Sequence, residues 1–268
     1  MALKLAMHNW MRPEGIETTL ARLAKFGYDG IEISGEPATY DPGEVKELLA
    51  KHNLKCWGSV TLMVNGRDLI HEDHYVRLGS IQYAKDCLTL ASKLGGKIVT
   101  LIPSTVGKTA PMSSVENEWR WAVDGIKECQ DHAEKVGVKI AIEPLNRFET
   151  YFINRHDQAL ELAHQVGGNC GVCLDFFHMN IEEDDWAEAL KVNGTDETVA
   201  PGDVVVTEEN AKRLSQPRIG ADGKPIRPDP RATSPAAPQP AVIAESPGET
   251  DPAKRTVRTV GPTFLPVR

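Results

Sequence analysis

From Leu3 to Asp175 six short apolar runs alternate with five stretches whose apolar residues fall at helical spacing. Few folds accommodate such a repeat. Each helix returns the chain to the same end of the sheet, so successive strands pair in parallel and are covered by the helices. The strands read as Leu3–His8, Tyr28–Ser34, Leu54–Val60, Lys97–Ile102, Ile140–Glu143 and Gly171–Asp175. The helices read as Ile16–Phe26, Gly43–His52, about His74–Leu94, Ser114–Val136 and about His156–Val166. Pro103 and Pro144 halt the strands before them, because proline has no amide hydrogen to pair. No glycine-rich dinucleotide turn follows the first strand, so the spacing predicts an α/β fold of the (β/α)8 barrel type over an open doubly wound sheet. Six βα units are clear, which leaves the barrel incomplete on this count.

After Leu190 the character changes. Of the 18 prolines, twelve lie between Pro201 and Pro266, and Phe264 is the only aromatic residue beyond Trp186. Arg218 to Pro240 is rich in Pro, Ala and Arg without a period, which predicts a largely disordered segment. Asp203–Thr207, followed by Glu208–Leu214, offers a seventh strand and a short helix, and Ala241–Glu245 an eighth strand, with no convincing helix between them. The expected division is therefore a barrel domain over residues 1–190 and an atypical proline-rich tail over 191–268.

Charge narrows the function classes. A net charge of −8 and a pI near 5.5 argue against a nucleic-acid surface and fit an enzyme of a small substrate. The first fifteen residues have no basic head or signal-length apolar run, and no stretch approaches the ~18–20 apolar residues of a membrane span. Five scattered cysteines point to a reducing cytoplasm.

Two strand ends carry the chemistry. Ile140-Ala-Ile-Glu143 stops at Pro144, and the next strand ends on Asp175 with His178 three residues beyond. In a barrel, side chains at the C-terminal ends of strands face the reaction. Two carboxylates and an imidazole there form a hard oxygen and nitrogen site suited to Mn, Mg or Co.

The motifs Glu143-Pro-Leu-Asn-Arg-Phe-Glu149 and Leu174-Asp-Phe-Phe-His-Met-Asn-Ile-Glu-Glu183 closely resemble the ketose 3-epimerase branch (tagatose/psicose 3-epimerase-like) of the xylose isomerase-like TIM barrels, also called the sugar phosphate isomerase/epimerase family. The resemblance covers about residues 1–190. It implies that Glu143 ligates a divalent metal, Mn²⁺ foremost and Co²⁺ or Mg²⁺ otherwise, and serves as an acid/base carboxylate. It makes Asp175 a second ligand and sets Glu149 and His178 to hydrogen-bond substrate hydroxyls. The implied reaction is isomerisation or epimerisation of a ketose or keto-sugar through an enediolate. A metal beside the carbonyl and hydroxyl oxygens favours that species, and two carboxylates on opposite faces move the proton. The implied partner is a small sugar, without nucleic acid or membrane, and a homo-oligomer is compatible with it.

The family takes a third ligand, a histidine, from strand seven and a fourth, a glutamate, from strand eight. No histidine follows His178, and Glu245 is the one strand-like candidate for the fourth ligand. The alternative is a truncated or partner-completed barrel with no activity of its own, associating through its uncovered edge strands.

Other residues have plainer readings. His71 and His74 are read as solvated surface, not as a metal pair. Cys170-x-x-Cys173 enters a strand, whose alternation sends the thiols to opposite faces, so a core role for Cys173 is preferred over redox chemistry. Glu32 points toward the site or forms a buried structural pair, and His8 lines the pocket or a surface loop. Trp57, Trp119 and Trp121 are read as packing before sugar-stacking walls. Glu182–Asp185 is read as a charged helix N-terminus. Gly107-Lys108 lacks a phosphate-cradling pattern, and no phosphate site is assigned to it.

Overall fold

The computed structural model describes residues 4–193. Within them, β1 (Ala6–His8), β2 (Gly30–Gly35), β3 (Lys55–Thr61), β4 (Ile98–Leu101), β5 (Lys139–Ile142) and β6 (Gly171–Val172) form one six-stranded sheet. They lie in chain order, each parallel to the next. The helices are α1 (Ile16–Lys25), α2 (Pro42–Lys51), α3 (His74–Leu94), α4 (Val115–Val136), α5 (His156–Val166), α6 (Phe176–Glu182) and α7 (Trp186–Asn193). The seventh and eighth strands, the helix at Glu208–Leu214 and the Pro-rich segment expected from the sequence lie outside the described residues. Among the described residues no helix is long and apolar enough to cross a membrane.

Local chemistry sets the helix limits. Asp41, Asp73 and Ser114 accept backbone N–H bonds in the first turns of α2, α3 and α4, filling donors that have no intrahelical partner. Gly95 and Gly137 end α3 and α4 at φ of 84° and 71°, which a side chain disfavours.

Alternation along the strands divides two environments. Ile31 and Ile33 of β2 pack under Leu20, Leu23, Val45 and Leu49 of the first two helices. Val99, Leu101, Ile140, Ile142 and Val172 pack against α3, α4 and α5 through residues such as Leu88, Ile126 and Leu162. The intervening positions Glu32 and Thr100 meet on the other face, Thr100 Oγ1 lying 3.4 Å from Glu32 Oε1. At Gly58 a Cβ would stand 2.2 Å from the Ile98 carbonyl oxygen, so β3 and β4 can approach only because that side chain is missing.

Two strand ends differ from the sequence expectation. β5 stops at Ile142, and Glu143 follows it, fixed by its N–H to the Leu101 carbonyl at 3.0 Å. β6 does not run to Asp175. The last sheet bond comes from Cys173 N–H to Ile142 O at 2.8 Å, and Asp175 then caps α6 by accepting the Phe177 N–H at 2.7 Å. The pair Phe176-Phe177, which extends the apolar run in sequence, is exposed on that short helix. The acidic run Glu182–Asp185 is also divided. Asp185 caps α7, as expected of a helix start, whereas Glu182 ends α6 and Glu183 accepts the His156 N–H at the start of α5.

Candidate functional site

Glu143, Asp175 and His178 offer one ligand atom each, all within 4.8 Å of one another. β5 delivers the first, and the turn from β6 into α6 delivers the other two. Glu143 is only 9% exposed and His178 7%, whereas Asp175 opens to solvent. The His178 Nε2 stands 4.0 Å from Asp175 Oδ2.

The electrostatics of Glu143 are one-sided. Burial pushes its carboxyl up to about 8, and the negative charges of Asp175, Glu32 and Glu149 push the same way. Carboxylates gathered without a compensating cation hold a proton or bind a metal ion. Their hard oxygens suit a divalent cation, so this donor set fits one. Glu32 is raised too, first by burial and then by Asp175, against a lowering bond from Thr100. Of the two readings open for Glu32, the inward one holds. Cys173 shares this environment: burial foremost, then Glu143 and Glu32, raises its thiol well above the ordinary range. Cys170, by contrast, is buried in the apolar layer under the helices. His8 stacks on Trp10 at 4.9 Å, and burial lowers it while Asp175 acts to raise it. In the β1–β2 register His8 stands opposite Glu32, which brings it to the same end of the sheet as the carboxylates.

The loop after β5 joins the remaining candidates. Asn146, 2% exposed, bonds His178 through its backbone N–H and its amide, and the same amide reaches Glu149 Oε1 at 3.0 Å. Nothing in the one-dimensional pattern marks Asn146 or the Arg147–Glu182 pair, since both depend on contacts more than thirty residues apart.

Other candidates lie elsewhere. Lys108 is buried, its ammonium 3.0 Å from Asp68 and 3.3 Å from Glu118, so it is committed to ion pairs and closed to a phosphate. His71 and His74 have local duties, His71 Nδ1 accepting the Asp73 N–H and His74 lying against Arg77. Trp57 sits beside Gly30 at the start of β2, Trp119 packs on Phe152, and Arg77 stacks on Trp121, so all three serve packing.

Known proteins resemble this chain in sequence and fold. The chain is 31% identical over 189 residues to the D-psicose 3-epimerase of Ruminiclostridium cellulolyticum, covering 66% of this chain and 62% of that protein. It is 30% identical over 178 residues to the L-ribulose 3-epimerase of Mesorhizobium japonicum, covering 66% and 60%. The chain therefore spans about three fifths of the length of these curated relatives. The crystal structure of D-psicose 3-epimerase with D-tagatose from Clostridium cellulolyticum H10 superposes with a TM-score of 0.65 at 25% identity, over 72% of this chain and 70% of that one. Residues 20–221 match the family described as xylose isomerase-like TIM barrel, and the chain belongs to that family.

Proposed function

We propose that this protein is a divalent-metal-dependent epimerase or isomerase of a ketose or related keto-sugar. The observation that carries the reading is the convergence of Glu143, Asp175 and His178 at the strand ends, where Asp175, Glu32 and Glu149 add negative charge around the buried Glu143. Glu143 and Asp175 hold the ion in this reading, Mn²⁺ foremost, with Co²⁺ or Mg²⁺ as alternatives. When bound, such an ion supplies positive charge for the oxygens that become anionic as the sugar loses a proton.

Glu143 takes the proton from the carbon beside the carbonyl, at a site shielded enough to tune a carboxyl toward neutrality. Glu149 and His178 bind the sugar hydroxyls and fix the face that Glu143 meets. Inversion needs a second carboxylate on the opposite face. Without one the proton returns where it left or moves to the neighbouring carbon, which gives aldose–ketose exchange. Glu245, the sequence candidate for a strand-eight carboxylate, lies outside the described residues. The reading carries with it a small sugar, free or phosphorylated, as substrate and a cytoplasmic setting, over a barrel domain of residues 1–190.

A second reading has its own support. Among the described residues β1 and β6 each pair with one strand only, and the chain spans 62% of its psicose-epimerase relative. This reading is a barrel completed by a partner, which includes a second copy, and inactive alone.

The test is incubation of the purified chain with Mn²⁺ and D-psicose, L-ribulose or D-tagatose, following epimers by chromatography, with molar mass from light scattering. Epimer formation that Glu143→Gln abolishes supports the enzyme. No conversion at any ketose, with the chain self-associated, favours the second reading.

A further inference from the structure

Two backbone amides decide how the polar atoms around His178 are arranged. The Phe148 N–H donates to Asn146 Oδ1 at 3.0 Å, and a backbone N–H can only donate. That fixes which end of the Asn146 amide is oxygen, a choice geometry otherwise leaves open. The amide nitrogen Nδ2 must then face the other way, 2.9 Å from His178 Nδ1 and 3.0 Å from Glu149 Oε1. The second amide is Asn146's own: its N–H points at the same His178 Nδ1, 3.1 Å away.

His178 Nδ1 thus faces two donors and must accept. A neutral imidazole carries one hydrogen, so it sits on Nε2. We infer that Asn146 is a positioning residue that holds His178 as the Nε2–H tautomer, so that His178 offers a hydrogen-bond donor, not a lone pair, to an oxygen of the ligand in the Glu143–Asp175 site. The statement that such a ligand is a sugar rests on the function proposed above, whereas the tautomer does not.

The arrangement has a consequence for the site's division of labour. A metal ligand must present a lone pair, and the lone pair of His178 is already spent on Asn146. The ion therefore falls to the two carboxylates, and the imidazole is left to grip a hydroxyl or carbonyl oxygen. Asn146 also serves Glu149, so one buried amide sets two sugar-facing groups in register.

The experiment is long-range ¹H–¹⁵N correlation on histidine-labelled full chain, free of metal and sugar, at a pH above the ordinary imidazole range, with His178→Gln to assign its signals. The wild type should show a pyridine-type Nδ1 and a pyrrole-type Nε2 for His178. The reverse pattern, or two averaged nitrogens, overturns the inference. In Asn146→Asp the amide donor becomes an acceptor, so the two nitrogens should move toward each other, with Asn146→Ala between the extremes. Unchanged signals in both variants overturn the role of the Asn146 side chain. Epimerase turnover should fall about 10- to 100-fold in Asn146→Asp, the usual loss when an orienting partner is removed. A wild type with the expected nitrogens that neither binds Mn²⁺ nor turns over ketoses supports the tautomer and overturns only the sugar-site reading.

Discussion

The Arg147 guanidinium grips the Glu182 carboxylate at two points, Nε 2.9 Å from Oε1 and Nη2 2.7 Å from Oε2. The Arg147 backbone N–H adds a third bond to Oε1 at 2.7 Å. This clamp ties the loop that follows Glu143 to the helix that carries His178, the two segments on which the site is built. Glu182→Gln should lower the melting temperature and weaken Mn²⁺ binding together, measured by calorimetry with and without the ion. Bonding to Arg147 holds the Glu182 carboxyl below the ordinary glutamate range. A depressed carboxyl stabilises the fold above its unfolded value and loses that contribution as pH falls through its folded value. The gap between wild type and variant should therefore be full at neutral pH and close in acid.

Glu143 behaves in the opposite sense. Its folded carboxyl titrates near 8, so between the ordinary glutamate range and that value the metal-free fold holds a proton that the unfolded chain releases. Stability should fall as pH rises across this window, by at most about 1.4 kcal/mol per pH unit. Glu143→Gln should flatten the slope, as chemical denaturation at a series of pH values will show.

A cation should reverse that penalty. At about a hundredfold over its dissociation constant, Mn²⁺ should stabilise the wild type by about 2.7 kcal/mol. Affinity should rise with pH as the proton leaves Glu143, and thermal unfolding should show no Mn²⁺ shift in Glu143→Gln.

Lys108 is the cation of a buried cluster in which Tyr151 also bonds Glu118. Lys108→Met removes the positive charge that faces Asp68 and Glu118 and should cost about 3–5 kcal/mol, the range for breaking a buried pair. Phosphate should leave the stability of the wild type unchanged, which a thermal scan with added phosphate checks.

Gly58→Ala places a methyl against the Ile98 carbonyl. Forced separation of β3 and β4 should cost about 1–3 kcal/mol, or more if the strands cannot part. Denaturant midpoints measure it.

Much of this was legible in the chain because it depends on neighbours. The limits of α3 and α4 follow from Asp73, Ser114, Gly95 and Gly137, each within one turn of the end it sets. Glu143 reads as a strand-end carboxylate because Pro144 stands next to it. The turn at Asp175 was not legible: an apolar Phe-Phe pair continues a strand pattern as readily as it begins an exposed helix. Lys108 was equally opaque, since its partners Asp68 and Glu118 approach from a loop and from α4, about forty and ten residues away in the chain. Asn146 escaped for the same reason, as its meaning comes from a histidine 32 residues away.

The capping of α6 by Asp175 has one more consequence. Because that carboxylate opens the helix and His178 lies three residues on, the distance between them is metered by helical pitch and not by a loop. The motif thus works as a ruler whose graduations cannot be shifted singly. One residue inserted between Phe176 and Phe177 would swing the imidazole by roughly 100° about the helix axis, away from Asn146 and Glu143 at once. Length between these two positions is therefore under tighter geometric constraint than the identity of the two exposed phenylalanines that fill it.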